Sequence, residues 1–139
     1  MFLFFLFLKN KGDKLATRQA YGTALVKVGK NNDRVCGLDG DMKNSTFSQE
    51  LRKLFPERHV ECFICEQNLA GVGIGMACRD RTVVFMSTFA CFFTRAFDNF
   101  RMGVISQTNI NVAVSSTYSY LVPALCLHFF QLLHSGQWA

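Results

Sequence analysis

Hydrophobic and polar positions change period several times along this chain, and each change marks an element. Tyr21, Leu25 and Val28 recur at spacings of four and three in a polar background, the pattern of one buried helix face. That helix is predicted from an N-cap at Asp13 to about Val28, with Gly29 in the C′ role and a loop at Asn31-Asn32. Val35–Leu38 is short and apolar and reads as a strand. Asp39–Thr46 is a polar turn, and a short helix over Phe47–Leu54 follows, closed by Pro56. Val60–Cys65 is a second strand, leading into a helix from Gln67 to about Cys78. Gly71, Gly73 and Gly75 weaken that helix, which points to close backbone packing. Thr82–Met86 is a third strand, Ala90–Arg101 a helix, and Asn109–Val114 a fourth strand. Strands alternating with helices predict a three-layer α/β fold, a mainly parallel sheet with helices on both faces.

Three chemically distinctive segments each follow a predicted strand directly: Asp39-Gly40-Asp41, Glu66-Gln67-Asn68 and Ser87-Thr88-Phe89. In a parallel sheet they share one edge, the edge where open α/β sheets bind ligands. Glu66 stands out among them. An acid at the carboxyl end of a buried strand is poorly solvated, so it must find a partner or lose its charge. The alternative is a first-turn helix residue favoured by the helix dipole.

Composition narrows the classes. A chain of 139 residues suits one domain with a real core. The net charge of +5 comes from dispersed lysines and arginines, with no basic stripe for a nucleic acid. Isolated arginines fit a small anionic ligand better. Cysteines stand at 36, 62, 65, 78, 91 and 126. The Cys62–Cys65 pair would point to opposite faces of a strand, and neither a second CxxC nor a histidine at zinc-finger spacing accompanies it. Buried free thiols of a cytoplasmic protein are the reading adopted. Met1–Leu8 is apolar but lacks a basic start and a small-residue cleavage site. It is also far short of the about 20 apolar residues needed to cross a membrane. The run Tyr120–Leu133 is broken by Pro123 and His128. No membrane partner is expected. A dinucleotide binder is disfavoured, because no GxGxxG precedes a helix with a downstream acid.

At particular residues the chain resembles the pyrimidine-binding domain of transketolases, from about Lys14 to Asn111. The resemblance is carried by Ala16-Thr17-Arg18-Gln19-Ala20-Tyr21-Gly22, by Leu38-Asp39-Gly40-Asp41 with Asn44-Ser45-Thr46-Phe47-Ser48, and by Glu66-Gln67-Asn68. The segment from Ser87 to Asp98 completes it. The resemblance implies chemistry on thiamine diphosphate. The residue at the Glu66 position bonds N1′ of the aminopyrimidine and so promotes removal of the C2 proton, preparing transfer of a two-carbon ketol unit between sugar phosphates. Such a role asks for a carboxylate in a dry pocket. It also implies that Phe89 and Phe92 pack against the pyrimidine and that Asp41 is a cofactor-site acid. Arg18 and Ser45 match residues that hold the sugar phosphate, and arginine suits a multidentate anion contact. Each has a plainer alternative: core for the two rings, a turn residue for Asp41, a solvated helix face for Arg18.

The departures define the expected limits. Val114-Ser115-Ser116-Thr117 stands where the family carries a Gly-Ser-His segment. The separate diphosphate-binding domain is absent, and Asp39-Gly40-Asp41 reverses the acid and glycine order of its Gly-Asp-Gly metal motif. Magnesium or calcium is therefore expected only on that other domain, and no metal ligand is placed here. The expected organisation is an unrelated extension at 1–13, the pyrimidine domain at 14–111 and a divergent tail at 112–139, a composition that an unspliced reading frame would produce. The function expected is the pyrimidine half of a thiamine diphosphate site acting on sugar phosphates, inactive in isolation and completed in a homo- or heterodimer with a transketolase subunit. The alternative is a non-catalytic interaction module that dimerises with a fuller transketolase.

Overall fold

The computed structural model describes residues 16–79 and 81–115. Its elements in chain order begin with α1 (Thr17–Asn31), β1 (Val35–Asp39), α2 (Lys43–Thr46) and α3 (Gln49–Leu54). A 3₁₀ turn at Pro56–Arg58 leads to β2 (His59–Glu61), then α4 (Glu66–Arg79) and β3 (Val83–Phe89). After β3 come α5 (Ala90–Phe93), a 3₁₀ turn at Thr94–Ala96, α6 (Phe97–Ile105) and β4 (Ile110–Ser115). The four strands form one sheet in the order β2-β1-β3-β4, and every pairing is parallel. The expected three-layer α/β fold is present.

Strand alternation sorts the side chains into two cores. Leu38, Cys62, Val84 and Met86 point to the face covered by α4 and α6, where they join Leu69, Ala70, Ala96 and Phe100. Val35 points to the opposite face, where it packs with Leu25 of α1 and Leu51 of α3, edged by Tyr21, Val28, Val83 and Phe85. The helix face predicted from Tyr21, Leu25 and Val28 is the one that docks.

Several boundaries differ from the sequence reading, each for a physical reason. Helix α1 continues through Gly29, which is no C′ residue. A Cβ there would lie 2.7 Å from Leu51 Cδ1, so the glycine permits α1–α3 contact. Arg58 closes the end of α1 instead, donating to the carbonyls of Gly29 (3.1 Å) and Asn32 (3.2 Å) while stacking on Phe55. Strand β2 stops at Glu61, four residues before the predicted end, because Phe63 turns into the left-handed region at φ 54°. Strand β3 runs to Phe89, so Ser87 and Thr88 are strand residues and do not follow it. The helix expected over Ala90–Arg101 is broken by the 3₁₀ turn at Thr94–Ala96. Of the three α4 glycines only Gly73 is tightly packed, where a Cβ would meet Met86 Sδ at 2.3 Å. A Cβ at Gly75 would meet nothing. Strand β4 extends the sheet through Ser115, with Ile110, Val112 and Val114 on the α4 side. Asp13, the extension 1–13 and the tail beyond Ser115 lie outside the described residues.

Candidate functional site

The register sets a level line across the sheet. Glu61 of β2 and Ser87 of β3 both pair with Asp39 of β1. All three project to the α1/α3 face, and each is met there by polar groups from a helix or loop. Asp39 is wholly buried. Its Oδ1 accepts the Met42 N–H at 2.5 Å, and its Oδ2 accepts the hydroxyls of Ser48 (2.7 Å) and Thr46 (3.1 Å). Burial pushes the Asp39 carboxyl up from its ordinary value, and those bonds oppose the shift. Tyr21 and Ser87 share a hydrogen bond at 2.7 Å. Burial raises the Tyr21 phenol as well, with Ser87 pulling the other way.

Glu61 takes the third place in the row. Its Oε1 accepts the Asp41 N–H at 3.0 Å, and its Oε2 is paired with Lys43 and lies 3.9 Å from Arg52. Burial alone would raise the Glu61 carboxyl, but the Lys43 ammonium and the Asp41 N–H outweigh it and the net shift is downward. Next to it, His59 is lowered by burial, and its ring nitrogens are buried without a described partner.

Beyond this row the chain rises into the loops that carry the predicted site. Asp41 is left-handed at φ 63°, pinned through its N–H, and its side chain is 47 % exposed with Lys43 3.8 Å away. Glu66 is the first residue of α4, reached by the four-residue loop Cys62–Cys65. It therefore has the helix-dipole placement of its alternative reading, yet it is only 5 % exposed. Its carboxylate makes no hydrogen bond or ion pair with a described residue. Ordinary first-turn acids are well exposed; this residue is almost wholly covered and has no described partner. Phe89 ends β3, and its ring stacks with Phe92 at 5.5 Å between centroids and 29° between planes. Phe92 remains partly exposed. Asp41, Glu66 and Phe89 thus lie along one sheet edge, as expected.

Arg18 and Ser45 reach the same end through the contact of α1 with α2. Arg18 lies 5.6 Å from the centre of the Phe47 ring. Phe47 is itself left-handed at φ 63°, and a Cβ on Gly22 would come within 2.7 Å of its Cβ and carbonyl oxygen. Only glycine at 22 lets α1 seat against this loop. The Ser45 hydroxyl has a single long contact, 3.5 Å to Asn44 Oδ1.

The thiols correct one expectation. Of the described cysteines only Cys62 is buried, whereas Cys65, Cys78 and Cys91 are exposed and all are free. Burial pushes the Cys62 thiol up from its ordinary value. No group of three possible metal ligands occurs among the described residues. Nor is any described helix long and apolar enough to cross a membrane. A groove of about 510 Å³ lies at the opposite end of the sheet, near Asn32, Arg34, Thr82 and Asn109, away from this chemistry.

Sequence reasoning missed Asp39 and Glu61, which hold the site loops from below. The available signal for Asp39 was the polar end of an otherwise apolar strand. Comparison with known proteins decides the family. Residues 13–120 match the family model described as transketolase, pyrimidine binding domain. The chain belongs to that family. It is 63 % identical over 100 residues to transketolase-like protein 2 of Mus musculus, covering 72 % of this chain and 16 % of the relative. It is 58 % identical over 104 residues to the transketolase of Homo sapiens, covering 75 % and 17 %. The chain thus spans about a sixth of these relatives. Among solved structures it is similar to one titled split gene transketolase, inactive beta4 tetramer, with a TM-score of 0.65 and 40 % identity over 73 % of this chain and 34 % of that one. The transketolase from Leishmania mexicana, with a TM-score of 0.69 and 19 % identity over 77 % of this chain and 17 % of that one, shares the fold.

Proposed function

We propose that this chain supplies the pyrimidine half of a thiamine diphosphate site for ketol transfer between sugar phosphates, and that it is inactive by itself. The observation that carries this reading is Glu66, a 5 % exposed residue without a described partner at a helix start, on the same edge as the Phe89–Phe92 stack. These residues fit the ring they would receive. Glu66 would share a hydrogen bond with the ring nitrogen N1′ of the bound cofactor. Phe89 and Phe92 offer apolar surface to the flat ring, and Asp41 adds a polar contact at its rim. Arg18 and Ser45, at the outer end of α1 and in α2, would meet the sugar phosphate. When bound, the cofactor supplies the carbanion chemistry. The diphosphate and its magnesium or calcium are held by the second domain, which a partner transketolase subunit contributes. Cytoplasmic placement follows from the same reading.

A second reading, a non-catalytic module that pairs with a fuller transketolase, draws on the exposed Phe63 (67 %) and Ile64 (75 %) beside Glu66. One experiment tests the first. The chain is mixed with the separately expressed diphosphate domain of a full transketolase, thiamine diphosphate and magnesium, and exchange of the cofactor C2 proton is followed. Exchange should appear in the mixture and vanish with Glu66→Gln. Association without exchange would favour the second reading.

A further inference from the structure

Two carboxylates and one ammonium meet where β2 ends and the Asp41 turn begins. Lys43, the first residue of α2, stands two positions after Asp41 and reaches across to Glu61 of β2. Its ammonium is paired with Glu61 Oε2, while Asp41 Oδ1 lies 3.8 Å away. Exposure explains the choice. The Glu61 side chain is 15 % exposed, whereas that of Asp41 is half-exposed. Water therefore screens the attraction of Asp41 for Lys43 more strongly. Glu61 also grips the same turn through its other oxygen, which accepts the Asp41 N–H at 3.0 Å. That bond fixes a residue whose backbone is left-handed at φ 63°. One carboxylate thus holds the backbone of Asp41 and occupies the cation beside its side chain. Arg52 of α3, 3.9 Å from Glu61 Oε2, brings a second cation to the same acid.

We propose that Glu61 is a positioning residue for Asp41: by holding Lys43, it leaves the Asp41 carboxylate free to meet a polar ligand at this edge. That ligand is the cofactor ring of the reading above, so the last step rests on that reading; the capture of Lys43 does not. Among the described residues, the other carboxylate within 4.0 Å of the Lys43 ammonium is Asp41. With Glu61 neutralised, Lys43 turns to Asp41, and the carboxylate is taken before a ligand arrives. Removing Lys43 as well leaves Asp41 free again. A residue that merely propped the turn could not be repaired in this way, because losing Lys43 removes one more contact from the same turn.

The test follows Lys43 first and the cofactor second. In the full chain, NMR correlations across hydrogen bonds link the Lys43 ammonium nitrogen to a carboxyl carbon. That carbon should belong to Glu61 in wild type and to Asp41 in Glu61→Gln. An ammonium linked to Asp41 in wild type, or to neither acid in the variant, overturns the proposal. The affinity for thiamine diphosphate with magnesium is then measured in the mixture with the diphosphate domain. Glu61→Gln should weaken it roughly fivefold, Lys43→Met should leave it near wild type, and the double variant should recover it. A double variant as weak as Glu61→Gln overturns the proposal, since Glu61 would then be only a prop. Asp41→Ala separates this proposal from the reading beneath it. If Asp41→Ala binds like wild type, Asp41 is no cofactor contact, and the last step falls with that reading wherever Lys43 goes. If Asp41→Ala loses affinity but Lys43 stays away from Asp41 in Glu61→Gln, the positioning role alone is defeated.

Discussion

The row Glu61, Asp39, Ser87 and the loops just above it are neighbours in the fold but opposites in finish. In the row nearly every polar group is answered: Asp39 by three donors, Ser87 by Tyr21, Glu61 by Lys43 and the Asp41 N–H. Above it, Asp41 is half-exposed, Glu66 has no described partner, and Phe63, Ile64 and Phe92 show apolar surface. The lower layer is a completed scaffold. The upper one has the composition of half a site. The contrast teaches that stability and recognition are separated by only a few residues along each strand, so substitutions in the two layers should act on different measurements.

The largest effect should come from Asp39→Ala. It leaves the Met42 N–H and the Ser48 hydroxyl without their buried acceptor, at about 1–3 kcal/mol for each group stranded, while the Thr46 hydroxyl keeps the Met42 carbonyl. A loss of about 3 kcal/mol is expected in urea unfolding, with the loop that carries Asp41 and Ser45 released. An unchanged midpoint would mean the network is ornamental. Next comes a glycine pair. Gly22→Ala drives a methyl into the Cβ and carbonyl of Phe47 and should cost about 1–3 kcal/mol. Gly75→Ala meets open space and should gain up to about 1 kcal/mol of helix propensity. Equal effects from the two would break the account of which glycines the packing requires.

Much of this architecture was legible in the sequence, and the reasons are local. Parallel strands buried on both faces read as apolar runs, so β1, β3 and β4 were found within a few residues. The positions of Asp41, Glu66 and Phe89 on one edge followed from topology alone. Asp39 was passed over in favour of Asp41 because both are acids in a glycine turn, and only the register shows which one turns inward. Strand β2 was overextended because Cys62–Cys65 is as apolar as a strand. The left-handed turn at Phe63, an unusual residue for that backbone, carries no signal in hydropathy. Glu61 was invisible for a related reason, since its partners Lys43 and Arg52 lie 18 and 9 residues away.

A smaller effect is expected with pH. His59 is held below its ordinary value by burial, so the folded state resists its protonation. That contribution is complete above 6.5, the unfolded value, and is lost as pH falls below it. Glu61, also lowered, adds a loss in the same direction as pH falls below 4.5. Asp39 is raised and acts oppositely, favouring the folded state as it protonates. Thermal midpoints should therefore fall from pH 7 to pH 5, and His59→Gln should flatten that part of the curve while leaving the Glu61 and Asp39 region below it intact. A wild-type curve already flat between pH 5 and 7 would show that the imidazole is solvated after all.

The smallest effect of all concerns the cofactor, and it follows most directly from the unfinished layer. Much of the affinity for a diphosphate comes from its metal and the ligands of that metal, and no such ligand group occurs among the described residues. What this edge offers is one charge-assisted hydrogen bond from Glu66 and ring contact with Phe89 and Phe92. Those are worth a few kcal/mol together, of the same order as the cost of immobilising the ligand. Titrating the lone chain with thiamine diphosphate and magnesium should give no binding heat at micromolar concentration and no shift of the thermal midpoint. Glu66→Gln should leave that null result unchanged, although the same substitution abolishes proton exchange in the two-domain mixture. Micromolar binding by the lone chain would mean that the upper layer is a whole site, and the contrast between the two layers would fail.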